Sequence, residues 1–270
     1  IFASIFYAGQ FGVVLFFLVS AITLTLSMEH RNESKYNFYI RRYFRIAPLY
    51  YFGILLYFFF RLAVESHRSG EIILFPEGYS LLKIIQNIFF LHGLSTINYN
   101  FVVPGGWSIA TEMYFYLIFP FLFILHKRYD LKFFLILTIV ISSTALLVQY
   151  VEPTGILKAH GKIFDFGYTT LINHITIFLI GIIIVKLIKM NFLINSFYYI
   201  LGFIFLFFSV YYVNIYRLES FGINFLPFLK FDTGVNGFFY PIFFALGMMP
   251  IIIAISKKQF FKNILFKQII

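Results

Sequence analysis

The chain has 270 residues, of which 61% are apolar and only 12% are charged, and its net charge is +10. Soluble domains hold about 45–50% apolar and about 25% charged residues, and a chain of this length cannot hide so much apolar surface in one core. The composition therefore excludes a soluble enzyme, a nucleic-acid-binding domain and a disordered chain, and it indicates that lipid solvates much of the protein.

Seven apolar segments are long enough to be membrane spans, since a helix needs about 20 residues to cross ~30 Å of hydrocarbon. In chain order they are Phe11–Met28, Ile46–Val64, Trp107–Leu125, Phe133–Tyr150, Leu171–Val185, Ser196–Asn214 and Val235–Ile255. We therefore predict an all-α fold, a polytopic transmembrane helix bundle with about seven spans in one domain over residues 1–270. Both termini are apolar, so we expect a fragment of a longer protein that lacks its first and last helices.

Basic residues cluster in alternate loops, which predicts the orientation of the bundle. Fourteen of the 21 lysines and arginines lie in the segments Glu29–Arg45, His126–Lys132, Lys186–Lys189 and Lys257–Lys267. Loops rich in lysine and arginine face the cytoplasm. We therefore predict an integral protein of the cytoplasmic (inner or plasma) membrane whose basic loops are cytoplasmic.

A shorter apolar segment, Leu81–Leu94, contains the polar residues Lys83, Gln86, Asn87 and His92. The basic loops alternate correctly only if this segment does not cross the membrane. We predict a re-entrant or shallow segment, which is tolerable where protein or a cavity covers its backbone. The alternative is that it spans and that one basic loop departs from the charge rule.

Glu112 is an ionisable residue inside a predicted span, and such residues are costly in lipid and often functional. Ser108, Glu112, Tyr116 and Pro120 recur at every fourth position, so they share one helical face. Pro120 also leaves the carbonyl of Tyr116 without its helical partner. The sequence alone leaves open whether Glu112 is functional or only ties helices together.

Arg42 and Arg45 are three residues apart, on one face if this segment is helical. Guanidinium groups suit the oxygen atoms of phosphates. Pro48 is favourable in the first turn of a helix, so we expect a helix beginning near Ile46 with Arg45 at its N-terminal edge. The alternative role for both arginines is ordinary positive-inside anchoring.

The chain has no cysteine, which excludes thiolate metal sites and a cysteine-bound acyl intermediate. No two histidines have metal-ligand spacing on one helix, so we predict no metal. His92 and His174 lie in apolar segments, where a histidine is more often a packing residue than a catalytic one.

Four segments together resemble, in order, motifs of the acyltransferase 3 family of integral membrane acyltransferases. Phe16–Ser20 is similar to an FFxxSG segment, with Ala21 in place of the glycine. The other three matches are Arg42–Arg45 with Pro48-Leu49-Tyr50, then Trp107-Ser108 with Glu112 and Tyr116, and finally Phe178–Gly181. The matches extend over nearly the whole chain.

The resemblance implies an enzyme that moves an acyl group, usually acetyl, from cytoplasmic acyl-CoA to a hydroxyl of a surface polysaccharide, lipopolysaccharide or lipid-linked glycan. It implies that Arg42 and Arg45 form the acyl-CoA site. We expect Trp107 and Tyr116 to line that site and Ser108 and Glu112 to have supporting catalytic roles. Three roles stay open for Glu112: orienting the base, binding a sugar hydroxyl, or only bracing helices. The family's base is a histidine in the first helix, which would lie upstream of residue 1, and its closing segment would follow Ile270. Membrane lipid and the glycan acceptor are the expected partners.

A second hypothesis is a polytopic glycan or lipid transporter without chemistry, in which Glu112 and the arginines line a path. A histidine about one helix before Phe16 in the full gene would favour the enzyme.

Overall fold

The computed structural model describes residues 2–31, 34–76, 79–94, 101–151, 171–220 and 233–257, and every regular element in these ranges is helical. The helices are α1 (Phe2–His30), α2 (Lys35–Ser69), α3 (Leu81–Ile88), α4 (Gly106–Arg128), α5 (Leu131–Val151), α6 (Leu171–Lys189), α7 (Ser196–Ser220) and α8 (Thr233–Ser256), with a 3-10 turn at Leu91–Leu94. The all-α prediction is thus confirmed for the described residues. Of the fourth basic segment only Lys257 is described, and Lys258, Lys262 and Lys267 lie outside the described residues.

Each of the seven predicted spans falls within one of these helices. Across the described residues, α1, α2, α4, α6 and α8 are long and apolar enough to cross a membrane, whereas α5 and α7 have shorter described apolar stretches, Leu131–Leu147 and Ser196–Tyr212. The helices are therefore compatible with a membrane bundle. The count of seven spans remains a prediction.

The exposed surface of α2 is itself apolar. Phe52, Leu56, Phe59 and Phe60 are all more than half exposed, and large apolar side chains in such a continuous strip mark a surface that lipid or another protein covers. This surface agrees with the membrane location that the composition predicts.

The predicted start of α2 near Ile46 is wrong, because the helix begins at Lys35. Ser34 is its N-cap, and its hydroxyl accepts a hydrogen bond from the N–H of Asn37 at 3.2 Å, a contact that satisfies one otherwise unpaired donor of the first turn. Pro48 therefore lies inside the helix. Arg45 stands ten residues beyond the first, about 15 Å along the axis, so the helix N-terminus does not favour an anion there.

The segment Leu81–Leu94 forms α3 and the 3-10 turn. The eight residues of α3 rise only about 12 Å, less than half of the hydrocarbon thickness. Ser80 caps the helix, since its hydroxyl accepts from the N–H of Lys83 at 3.3 Å. The segment is therefore too short to span as a helix, in agreement with the predicted shallow or re-entrant segment.

The chain divides into two compact units. One comprises Ile1–Asn32, Phe121–Tyr168 and Ile172–Ile270, and the other comprises Glu33–Pro120 with Thr169–Leu171. We refer to them as the first and second unit. The N-terminal part of α4 belongs to the second unit and its C-terminal part to the first. That the chain is a single domain remains a prediction.

In the first unit, α1 and α6 approach each other at Gly181. A Cβ atom at this position would lie 2.6 Å from the Cβ of Ala21 and 2.9 Å from the carbonyl oxygen of Leu18. Small residues allow this kind of close approach between membrane helices. Ala21, which replaces the motif glycine, therefore packs against the glycine of the Phe178–Gly181 segment.

Ion pairs and hydrogen bonds also join the basic ends of three helices in the first unit. His126 Nε2, at the end of α4, donates to Glu29 Oε1 of α1 at 2.8 Å, and Lys189 of α6 pairs with the same oxygen. Lys186 Nζ donates to the carbonyls of His126 and Tyr129, each at 2.8 Å. Three segments that the charge rule assigns to one side of the membrane thus lie together.

We expect cysteines introduced at Lys35 and Lys127 to react with an impermeant maleimide only from the cytoplasmic side. The chain has no cysteine of its own, so labelling of whole cells and of inverted vesicles has no background. Glu71 is exposed and lies between the basic segments Glu29–Arg45 and His126–Lys132, in a loop that the alternation predicts to be outside. A cysteine at Glu71 is the control and should react only from outside. Outside labelling at Lys127 would contradict the predicted orientation.

We expect Gly181→Ala to lower the stability of the protein by about 1–3 kcal/mol, the usual cost of overpacking. Thermal unfolding in detergent would measure the loss. Ala21→Gly should recover part of it, because it removes the closer of the two clashing atoms while the Leu18 carbonyl remains. Unchanged melting of Gly181→Ala would show that the helices separate at little cost.

Candidate active site

Glu112 and Tyr116 lie one helical turn apart on α4 and are each only 2% exposed. The hydroxyl of Tyr116 donates a hydrogen bond to Oε1 of Glu112. The predicted shared face is therefore a buried face, and Pro120 is buried on it as well. A buried carboxylate is stable only when hydrogen bonds and nearby positive charge compensate for its lost hydration.

The positive charge is that of Arg42 on α2. Its guanidinium carbon lies 5.9 Å from the ring centroid of Tyr116 and 5.7 Å from that of Phe38, within the range of cation–π attraction. It also interacts electrostatically with Glu112. The structure thus brings together Arg42, Tyr116 and Glu112 from two separate motifs.

Packing of α2 on α4 holds this cluster in place. The ring of Phe38 stacks on that of Phe119 with centroids 5.7 Å apart. The hydroxyl of Tyr39 donates to the carbonyl of Leu117 at 3.0 Å, one residue beyond the carbonyl that Pro120 leaves without its helical donor. The turn of α2 before Arg42 is therefore fixed against the middle of α4.

One group in the cluster is available to a ligand. The Nε atom of Arg42 is buried and makes no hydrogen bond to any residue that the structure describes. A buried N–H donor without a partner costs about 1–3 kcal/mol. An anionic or carbonyl oxygen would satisfy this donor.

The other predicted site residues are placed differently. Arg45 is exposed, whereas Arg42 is half-buried, so the two arginines do not have the same surroundings. The hydroxyl of Ser108 donates a hydrogen bond to the carbonyl of Gly105 at 2.9 Å, at the start of its own helix. Trp107 is buried in the first turn of α4. The structure thus gives Ser108 a local capping contact and places Trp107 one to two turns before Glu112.

A second polar network fixes the start of α4. The hydroxyl of Tyr50 donates to Oδ1 of Asn87 at 2.8 Å and lies 3.1 Å from Nε2 of His92. His92 Nε2 in turn lies 3.1 Å from the carbonyl oxygen of Gly106. Burial lowers the pKa of His92, which favours the neutral ring.

Gly106 is required by this network. A Cβ there would lie 2.8 Å from the hydroxyl oxygen of Tyr50. The tyrosine of the Pro48-Leu49-Tyr50 segment thus occupies the space left by the glycine that precedes Trp107. The sequence patterns predict no role for Tyr50 or Asn87 and a packing role for His92, which agrees with its buried, hydrogen-bonded position. The signal was the run of polar residues within the apolar segment Leu81–Leu94.

We expect Tyr50→Phe to destabilise the protein by about 1–3 kcal/mol, because Asn87 Oδ1 would lose its donor in a buried site. Thermal unfolding in detergent would measure the change. Tyr36→Phe removes the same atom from a residue that is 72% exposed, and it should leave the melting temperature unchanged. Equal effects of the two substitutions would contradict a role for the network.

Comparison with known proteins agrees with the motif resemblance. No curated protein and no solved structure matches the chain. A family model does match it, that of the acyltransferase domain of the acyltransferase 3 family, and the match covers residues 1–269. Together with the apolar helices, this match identifies the chain as a membrane acyltransferase that belongs to the acyltransferase 3 family.

Proposed function

We propose that this protein transfers an acyl group, acetyl as the first candidate, from acyl-CoA to a hydroxyl of a cell-surface or lipid-linked glycan. The observation that supports the proposal is the cluster of Arg42, Tyr116 and Glu112, which combines one buried carboxylate with one guanidinium that has an unused donor. Family membership favours this enzyme over a transporter.

The thioester of acyl-CoA is already activated, so transfer needs a base for the incoming hydroxyl and donors for the oxyanion that forms on the thioester carbonyl. The acceptor oxygen bonds to the acyl carbon, its proton goes to the base, and the thiolate of CoA leaves. The family resemblance implies a histidine as the base, and no histidine precedes Phe16 in this sequence. The residues of this chain would then bind the donor and orient the reacting groups.

Arg42 is the residue we assign to the donor. Coenzyme A carries phosphate groups, and the planar guanidinium can give them two parallel hydrogen bonds. The cation–π contacts with Phe38 and Tyr116 hold the guanidinium in place, which lowers the entropy lost when a ligand binds. Arg45, exposed nearly one turn later, supplies a second charge on the route of the donor.

Glu112 has a positioning role in this proposal. The sequence leaves three roles open for it: orienting the base, binding a sugar hydroxyl, or bracing helices. Its hydrogen bond from Tyr116 and its attraction for Arg42 support the view that it holds site residues in place. The charge of Glu112 would thus keep both residues in the geometry that the donor requires.

A direct assay is the incorporation of radiolabelled acetyl groups from acetyl-CoA into the glycan and lipid fractions of inverted membrane vesicles that contain the full-length protein. We expect incorporation above that of vesicles without the protein. Absence of any protein-dependent incorporation with acetyl-, propionyl- and longer acyl-CoA would contradict the proposal.

We expect Glu112→Gln to reduce transfer about ten- to a hundredfold at unchanged protein level, as the loss of one charge-assisted contact implies. Glutamine keeps the shape and can still accept from Tyr116, so folding should survive. Glu71→Gln, at an exposed position, is the matched control and should retain full activity. A parallel loss of protein and activity would indicate a helix brace only, and full activity would exclude any role.

We expect Arg42→Lys to raise the apparent Michaelis constant for acyl-CoA about ten- to a hundredfold, because lysine keeps the charge but loses the planar fork. Arg45→Lys should have a smaller effect in the same direction, since Arg45 is exposed. Arg41→Lys, which lies about 100° around α2 from Arg42, is the control for Arg42 and should leave this constant unchanged. Unaltered acyl-CoA affinity in all three variants would make these arginines simple membrane anchors.

A further inference from the structure

The first unit has a depression at the ends of α1, α4, α5 and α6. Its volume is about 670 Å³, and it is lined by four lysines, Lys127, Lys132, Lys186 and Lys189, together with acidic and apolar residues. This volume lies within the range of small-molecule sites. It is independent of the Arg42 cluster, which belongs to the second unit.

Part of the charge in the depression is already compensated. Glu29 accepts from His126 and pairs with Lys189, and Lys186 donates to two carbonyls at the end of α4. Asp130 accepts from the N–H of Phe133 at 3.0 Å, so its negative charge lies at the positive N-terminal end of α5. Lys127 and Lys132 are then the two lining lysines that take part in none of these contacts.

Both of these lysines are exposed. Lys127 Nζ lies 5.0 Å above the ring centroid of Phe123, and in the part of the chain that the structure describes neither lysine forms an ion pair. Two uncompensated ammonium groups beside one depression attract an anion with more than one negative oxygen. A phosphate group has this character.

The surface next to Lys132 indicates where that phosphate comes from. Ile136, Ile139 and Val140 follow Lys132 along the same side of α5 and are 62%, 65% and 55% exposed. Lys132, which lines the depression, is therefore followed by an apolar strip on a predicted membrane helix. A lipid would bury its chains on the strip, whereas a soluble phosphate compound would leave the strip uncovered.

We propose that this depression binds the headgroup phosphate of an anionic phospholipid, with Lys127 and Lys132 as its ligands and the acyl chains along Ile136, Ile139 and Val140. Basic pockets between membrane helices on the cytoplasmic side are suited to such headgroups. The site would thus hold a lipid at a fixed position and would not depend on the acyl-transfer reaction.

The test is lipid binding to the full-length protein in detergent, followed by native mass spectrometry during titration with phosphatidylglycerol or, as the neutral reference, phosphatidylcholine. We expect preferential binding of phosphatidylglycerol. Lys127→Gln with Lys132→Gln should lower its affinity roughly twenty-five-fold, about fivefold for each lysine, without changing the affinity for phosphatidylcholine. The corresponding double arginine variant should bind like the parent.

A matched control removes two charges elsewhere, by Lys35→Gln with Arg128→Gln, at exposed residues that do not line the depression. Its phosphatidylglycerol affinity should stay within about twofold of the parent. An equal loss of phosphatidylglycerol affinity in this control would show that only the total charge matters, and it would overturn the proposal. Equal binding of the two lipids by the parent would overturn it as well.

Two further arms separate the possible sources of the phosphate. Inorganic phosphate and coenzyme A are added to the protein already loaded with phosphatidylglycerol. Retention of the lipid supports the proposal. Displacement by either compound at a concentration equal to that of the lipid would assign the depression to a soluble phosphate ligand and overturn it. Because binding is measured without acyl transfer, failure here leaves the proposed function intact.

Discussion

The cost of placing a charge in an apolar environment determines how the described helices are arranged. In lipid, an ionised side chain without a partner costs several kcal/mol, and every such group must find an opposite charge or a set of hydrogen bonds. Glu112 and Glu29 both meet this requirement through partners on other turns or other helices. Apolar contacts between helices are weakly directional in lipid, so these polar contacts are well suited to fixing which helix faces which.

The two carboxylates meet the requirement in different ways. Glu29 lies near the end of its helix, where its Oε1 accepts from His126 and pairs with Lys189, so its charge faces two basic side chains. Glu112 is almost inaccessible, with a neutral tyrosine as hydrogen-bond donor and a guanidinium nearby that retains an unused N–H. A carboxylate held between two basic side chains suits a structural joint. A cluster with an unused hydrogen-bond donor suits the binding of a substrate. The functional proposal therefore rests on the cluster around Glu112.

Much of the fold is predictable from the sequence, because hydropathy over 20 residues reports directly on burial in lipid. The shared face of Ser108, Glu112, Tyr116 and Pro120 follows from a period of 3.6 residues, and the structure buries its last three members. The start of α2 was not predictable in this way, since Lys35, Asn37 and the arginines are polar and give no hydropathy signal. At this end of α2 the capping hydroxyl of Ser34 marks the true start of the helix, whereas Pro48 suggests a start that is too late.

The site was predictable only in part, for a different reason. Motif resemblance supplied Arg42, Tyr116 and Glu112, but spacing along one chain cannot show that Arg42 on α2 reaches Tyr116 on α4. Likewise, the hydrogen bonds of Tyr50 to Asn87 and His92 join residues that are 37 and 42 positions apart. Such contacts depend on how helices pack, and a single sequence contains little information about packing partners.

The length of α2 has a consequence for the membrane around the protein. Its 35 residues extend for about 52 Å, well beyond the ~30 Å that the hydrocarbon occupies, and ordinary helix tilts of about 20° remove little of the excess. If α2 crosses the membrane, the basic turns around Arg42 lie among headgroups, at a depth that the local bilayer sets. A thicker bilayer then draws these turns toward the hydrocarbon, and a thinner one leaves them closer to water. The chain length of the surrounding lipids thus affects the position of this end of the helix.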